Sequence, residues 1–308
     1  MQVLAKRLLT RPLIDSRMDA RLEGNVNGPS LIKMPAWLKS RKAKYYLYFS
    51  HHCGDHIRLA FANKLTGPWT VYVGGVLRLS NTPFAQQKPD VPEPRWAVER
   101  GVSGLYPHIA SPDVHIDHHR CELKMYFHGL DQDGEQRSLT ATSKDGLTWK
   151  VHPRRIEQTY LRAFRYKSKT YAIALGGEVL RESENGVFQT GGWIFPTEHR
   201  HSAVLVKGNI LHVIWSRVGD APESLLHSFI DLNQPWKRWA ISQTKIILKP
   251  ELIWEGSNHP LRKSDLGMAR SDECALRDPC IIQTEQKTYL IYTGAGETAL
   301  GIAELFGV

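Results

Sequence analysis

The sequence predicts an all-β protein folded as a five-bladed β-propeller, with four antiparallel strands to a blade. Three observations carry this prediction. A unit of short strand-like runs separated by turns recurs five times along the chain. A Gly-containing turn followed by an aromatic recurs ahead of the fourth strand, as Thr66-Gly-Pro-Trp69, Asp145-Gly-Leu-Thr-Trp149 and Asn185-Gly-Val-Phe188. No segment of useful length has the apolar period of a helix. A β-sandwich array is the competing arrangement, and the repeated turn register favours the closed ring.

The first unit runs Asn27-Gly-Pro-Ser-Leu-Ile-Lys, a basic turn, Tyr45-Tyr-Leu-Tyr-Phe-Ser, Ile57-Arg-Leu-Ala-Phe-Ala and Leu65 to Tyr72. The second runs Ser111-Pro-Asp-Val-His-Ile-Asp, Leu123-Lys-Met-Tyr-Phe-His, Arg137 to Ser143 and Lys144 to Lys150. The third opens at Leu161-Arg-Ala-Phe-Arg-Tyr, and its closing piece is Glu184-Asn-Gly-Val-Phe. The fourth opens at His201-Ser-Ala-Val-Leu-Val and is expected to close near Trp236-Lys-Arg-Trp. The fifth comprises Leu276 to Glu297 and Leu300-Gly-Ile-Ala-Glu-Leu, three strands in all. Each run is rich in β-branched and aromatic residues and bounded by turn residues. The missing fourth strand is expected from Gln2 to Leu9, which would close the ring. Trp69 and Trp149 are expected to pack between neighbouring units. Residues 1–308 then form a single domain, with inserts at about 73–109 and 246–275 lying over one face.

The chain has 308 residues, 42% hydrophobic and 23% charged, within the range of globular proteins. Its net charge is +9, but the basic residues are scattered and the densest cluster, Lys39 to Lys44, falls in a hairpin turn. No nucleic-acid partner is therefore expected, while the positive excess favours an anionic ligand. No membrane partner is expected either, since no apolar run approaches the length of a span. The sequence assigns no oligomeric state. Cys53, Cys121, Cys274 and Cys280 lack metal-finger or redox spacing. The N-terminal segment lacks the apolar core of a signal peptide. A cytoplasmic protein with free thiols is the expectation.

The repeat becomes a functional argument through propeller geometry. Inner strands line a central channel, and the start of strand one lies at the same end as the end of strand two. Residues at those places converge on one face. Strand-one starts supply Asn27, Asp113, Arg162, His201 and the pair Arg277 and Asp278. The turns between strands two and three supply His51, His52, His128, Glu178, Arg217, Asp220, Glu223 and Glu297. His108 precedes the second inner strand. Convergent ionisable groups in a concave place are the default site hypothesis.

This pattern resembles the five-bladed propeller glycosidases: the arabinanases, the β-xylosidases, and the invertase and levansucrase group. In them an Asp-Pro dipeptide opens an inner strand, and a Tyr-rich second strand follows about a dozen residues later. Asp278-Pro279 with Thr288-Tyr-Leu-Ile-Tyr292 matches. Asn27-Gly-Pro29 with Tyr45-Tyr-Leu-Tyr48 keeps the frame but has Gly28 at the acidic position, and Ser111-Pro112 has its Asp one place later. The resemblance implies a glycoside hydrolase acting through carboxylates at the channel mouth, on a carbohydrate substrate that could be anionic. Such chemistry needs two carboxyl groups flanking the glycosidic bond, one of them protonated near neutral pH.

Asp278 is carried over by motif. Asp113, Glu297, Asp220 and Glu223 are catalytic candidates by location alone. Asn27, His51, His52, His108, Arg162, Glu178, His201, Arg217 and Arg277 are substrate-binding candidates, the arginines being suited to clamp a carboxylate or sulfate. No metal ligand set is assigned, because there is no compact His-x-His spacing. A divalent cation in the channel, as the resemblance implies, is a candidate cofactor. Trp37, Trp96, Trp193 and Trp254 are candidates to stack on sugar faces. Two alternatives stand beside the hydrolase. One is a non-catalytic propeller binding a glycan or acidic ligand, for which Gly28 speaks. The other is a lyase or metal-dependent propeller enzyme using His108, His128 or His201.

Overall fold

The computed structural model describes residues 2–308, so residue 1 of the expected domain lies outside the described residues. Five antiparallel sheets stand side by side, with their first strands lining a central channel. Blade one comprises Asn27–Lys33, Tyr45–Ser50, His56–Ala62 and Thr70–Val71, and blade two Ile109–Asp117, Glu122–Leu130, Gln136–Ser143 and Lys150–Ile156. Blade three comprises Arg162–Tyr166, Lys169–Ile173, Glu178–Glu182 and Phe188–Trp193. Blade four comprises His199–Lys207, Ile210–Arg217, Leu225–Asp231 and Lys245–Leu248. In blade five, Leu276–Gln283, Thr288–Gly294 and Ala299–Phe306 are completed by the N-terminal strand Leu4–Arg7. That strand pairs antiparallel with Ala303 to Phe306, so the ring is closed as the sequence predicts.

One strand lies elsewhere than expected. Trp236–Arg238 is a 3-10 turn, and the outer strand of blade four follows it at Lys245–Leu248. The second insert therefore starts after Leu248. The register of the strand Lys245–Leu248 with Leu225 to His227 is interrupted by a bulge, and Lys245 and Ile246 on it are exposed. A short, half-exposed edge strand of this kind has little apolar alternation to betray it.

The recurrent turn aromatics pack each blade against the one before it. Trp149 meets Tyr48 edge-on with ring centroids 5.8 Å apart, and Phe188 meets Tyr126 at 6.2 Å. Trp69 is buried among Leu31, Ile282 and Ile302, between blades one and five. Burying such side chains contributes roughly 1.5–3 kcal/mol each.

A latch reinforces the closure. Arg7, on the N-terminal strand, donates from Nε to Glu255 Oε1 at 2.8 Å and from Nη2 to Oε2 at 2.7 Å. Tyr292 Oη donates to the same carboxylate at 2.8 Å. Glu255 is fully buried, so the pair is shielded from water and salt.

The feature that shapes the mouth is a bulge near the start of the inner strands. Pairing with the second strand skips between Asn27 and Ser30, Ala110 and Asp113, His199 and Ser202, and Arg277 and Cys280. In three blades the bulge carries a left-handed residue followed by Pro: Gly28 (φ 53°), Ser111 (φ 50°) and Asp278 (φ 48°). Proline fits there because the bulge leaves a backbone N–H without a ladder partner. The X-Pro dipeptides are thus markers of the bulge.

Candidate active site at the channel mouth

The mouth holds a pocket of about 160 Å³. Glu297 comes to it from blade five and His52 from blade one. Arg200 and His201 come from blade four, and Tyr160 from the segment entering blade three. The first insert contributes Trp96 and Tyr106, and the second contributes Leu266 and Gly267.

Glu297 is the carboxylate that opens on this pocket. Its Oε2 accepts hydrogen bonds from Asn25 Nδ2 at 3.1 Å and Asn27 Nδ2 at 3.0 Å, and His52 Nδ1 lies 3.4 Å away. Arg277 Nη1 lies 3.5 Å from Oε1. Burial alone would push this carboxyl up, but His52, Arg277 and the Asn25 amide hold it well below the usual range. Glu297 is therefore ionised at neutral pH.

Behind it charges alternate. Arg277 is buried and reaches Glu223 at 2.9 Å and Glu273 at 3.1 Å. Glu223 also accepts from Arg200 Nε at 2.8 Å and Ser216 Oγ at 2.7 Å. Burial opposes ionisation of Glu223, yet Arg200 and Arg277 lower its pKa. Glu223 and Arg277 are thus a buried framework that sets the position of Arg200 and Glu297.

Asp278 is fully buried. Its Oδ2 accepts from the Gly28 N–H at 3.3 Å, and its Oδ1 is hydrogen-bonded to His201 Nδ1. From His201 an arc of rings runs round the mouth. Tyr160 lies on His201 with centroids 4.2 Å apart and on His128 at 4.0 Å. His128 meets His108 at 5.4 Å, His108 meets Tyr106 at 4.8 Å, and Tyr106 meets His52 at 5.9 Å. Burial lowers the pKa of His108 to about 4 and takes His128 and His201 well below the ordinary value, the latter helped by Arg200 and Arg162. These three imidazoles are neutral.

Other sequence candidates do not line this pocket. Asp113 is not a mouth carboxylate. Falling one place after its Pro, it sits beyond the bulge, where Oδ2 accepts from Ala163 N–H at 2.8 Å and pairs with His115 Nε2 at 2.7 Å. It lines a separate channel cavity of about 430 Å³, together with Arg162. Arg162 ties inner strands together, donating to the Ser202 and Pro112 carbonyls at 3.0 Å each. His51 lines a neighbouring recess with Cys53 and Asn25. Glu178 is buried where the third strand of blade three begins, paired in register with Trp193. Arg217 lies over Trp215 at 5.3 Å and 4.0 Å from Asp220. Burial raises the pKa of Asp220, reinforced by Glu223 and opposed by Arg217.

Of the four tryptophans, Trp96 lines the pocket. Trp193 is 68% exposed at the end of blade three. Trp37 packs into the cluster between blades one and two, and Trp254 stacks on Tyr292 at 5.9 Å. Tyr106, Tyr160 and Arg200 were not among the sequence candidates. Arg200 adjoins the candidate His201, Tyr160 stands two residues before the candidate Arg162 and Tyr106 two before the candidate His108, so a strand-start rule widened by two residues would have found them. Among the described residues, no group of three or more His, Cys, Asp or Glu side chains is set to hold a metal ion, and no helix is long and apolar enough to cross a membrane.

Five four-stranded blades closed by the N-terminal strand make a five-bladed propeller with the fold of solved family-43 glycoside hydrolases. A GH43_1 enzyme from Xanthomonas citri superposes with a TM-score of 0.61 at 13% identity, covering 97% of this chain and 91% of that one. The alpha-L-arabinofuranosidase of Lactobacillus brevis superposes with a TM-score of 0.60 at 12% identity, covering 96% and 92%. No family model matches the chain. In sequence, the chain belongs to the family of uncharacterized protein R118 of Acanthamoeba polyphaga mimivirus, to which it is 30% identical over 335 residues, covering 99% of this chain and 91% of that protein.

Proposed function

We propose that this protein is a glycoside hydrolase that cleaves a saccharide held at the channel mouth. The observation that carries the reading is Glu297, a buried carboxylate that opens on the pocket and is kept ionised by two amides, an imidazole and a guanidinium. Glycosidic cleavage passes through an oxocarbenium-like state and needs a proton for the leaving oxygen. Glu297 supplies negative charge beside the reacting carbon. Asp220, in the turn after the second strand of blade four and not itself lining the pocket, is the candidate acid, burial strengthening its hold on its proton. Trp96, Tyr106 and Tyr160 offer ring faces to the sugar.

The solved relatives direct the choice of substrate. The Xanthomonas citri enzyme has been solved in complexes with xylotriose and with xylose, and the Lactobacillus brevis protein is an arabinofuranosidase. Aryl β-xylosides, aryl α-L-arabinofuranosides and xylo-oligosaccharides therefore come first. Acidic saccharides follow, given the net charge of +9 and Arg200 at the pocket. Wild-type turnover that falls about 10²–10⁴-fold in Glu297→Gln is the expected result. Turnover unchanged in that variant would remove Glu297 from the reaction.

A second reading, a glycan-binding propeller without catalysis, is favoured by Gly28, which leaves the inner-strand position of blade one without a carboxylate. Calorimetric binding of xylotriose with no turnover on the whole panel would select it.

A further inference from the structure

We propose that His201, oriented by Asp278, is the general base that activates the attacking water at the channel mouth. The proposal rests on the hydrolase reading and supplies the base that Gly28 lacks.

Blade one cannot hold a carboxylate at position 28. The residue has φ +53°, and a Cβ there would lie 2.9 Å from the Ser111 Cα. Asp278, the motif carboxylate, is itself fully buried and does not line the pocket. It reaches the pocket through His201. With its carboxylate ionised Asp278 is acceptor-only, and in the dyad His201 Nδ1 carries the proton and donates to it. The lone pair is then on Nε2, which makes no hydrogen bond among the described residues. The ring is held against Tyr160 at 4.2 Å, and His201 lines the same pocket as Glu297. Burial, Arg200 and Arg162 disfavour a positive charge on the imidazole, so it rests in the form that accepts a proton, and the Asp278 carboxylate beside Nδ1 stabilises the imidazolium once it forms. An imidazole held by a buried carboxylate through one nitrogen, and itself lining a reaction pocket, is the arrangement of a general base.

The step balances. Nε2 takes a proton from water as the water oxygen bonds to the anomeric carbon. The bond from that carbon to the glycosidic oxygen breaks, and its electron pair goes to the oxygen, which is protonated by Asp220. His201 then releases its proton to solvent and Asp220 regains one, so the net change is addition of one water.

The test is chemical rescue. Wild type, His201→Ala and the volume-preserving His201→Gln are assayed on the aryl glycoside that wild type turns over best, with thermal melts to confirm folding. The expected result is a kcat about 10²–10⁴-fold lower in both variants, with KM changed less than about threefold. Added free imidazole should restore part of the kcat in His201→Ala and none in His201→Gln. A structural role would not produce that difference. A folded His201→Ala that imidazole does not rescue overturns the dyad and leaves the hydrolase reading standing. If His201→Ala does not fold, a kcat of His201→Gln within about threefold of wild type overturns it equally. Absence of wild-type turnover on the panel overturns both.

Discussion

The backbone N–H of Gly28 donates to Asp278 Oδ2 at 3.3 Å, joining the first blade to the last near the channel mouth. The two residues occupy the same place in their blades, each the left-handed residue of an X-Pro bulge. Where the resemblance leads one to expect two carboxylates, the structure has one carboxylate bound by the other blade's backbone. The glycine at the position where the resemblance implies an acid binds the carboxylate of the other blade.

Restoring the missing side chain should therefore fail. Gly28→Ala forces a Cβ to within 2.9 Å of the Ser111 backbone at a positive φ. It should cost about 2–4 kcal/mol in urea unfolding. Gly28→Asp should be at least as destabilising and should raise no activity. A stable Gly28→Asp with higher turnover would show that blade one still has room for a base.

The latch between Arg7 and Glu255 should govern ring closure. Glu255→Ala leaves the Arg7 guanidinium and the Tyr292 hydroxyl without their buried acceptor. The expected loss is about 3–5 kcal/mol. Hydrogen exchange should quicken first along Leu4–Arg7 and its partner strand Ala299–Phe306. Uniform exchange over all five blades would show that closure does not depend on this contact.

Stability should begin to fall at a pH well above the carboxylate range. Burial holds His108 and His227 at about 4, His199 at about 3, and His128 and His201 well below the ordinary value. The unfolded chain takes up protons at these residues as pH drops through about 6.5, while the folded chain does not. Folding free energy is thus lost as pH falls from about 6.5 toward the folded values. A second decline follows below about 4.5, because Glu297 and Glu223 have lowered values and must protonate. Urea midpoints between pH 7.5 and 4 should show the first decline, and His128→Phe should flatten it. Midpoints that stay level down to pH 5 would mean that these imidazoles are protonated in the folded protein.

Trp96 should act on binding more than on turnover. It lines the pocket from the insert and belongs to no blade. Trp96→Ala should raise KM for the best glycoside about 2–10-fold, the range of one aromatic contact, with kcat nearly unchanged. A loss confined to kcat would place the indole beside the reacting bond.

Several elements were legible because their signal is local. The five units, the turn aromatics and the N-terminal strand follow from alternation, turn residues and a count that came up one strand short. Asp278-Pro279 was legible for the same reason, since a bulge with a left-handed residue leaves a dipeptide signature. The outer strand of blade four was not, because a short edge strand at Lys245–Leu248 carries almost no pattern. Nor was the fate of Asp113: one place past its Pro, it lies beyond the bulge and binds the Ala163 N–H in blade three.

The sequence by itself determined the all-β class, the number of blades and which face gathers the ionisable residues. These follow from periodicities of a few residues repeated along the chain. Only the tertiary structure decided which of those residues meet and in what state. His201 and Asp278 are 77 positions apart, and Asn27 and Glu297 are 270 apart. Such contacts are fixed by how the blades dock. Charge was decided there too, because burial and facing charges, not residue type, keep Glu297 ionised and His201 neutral.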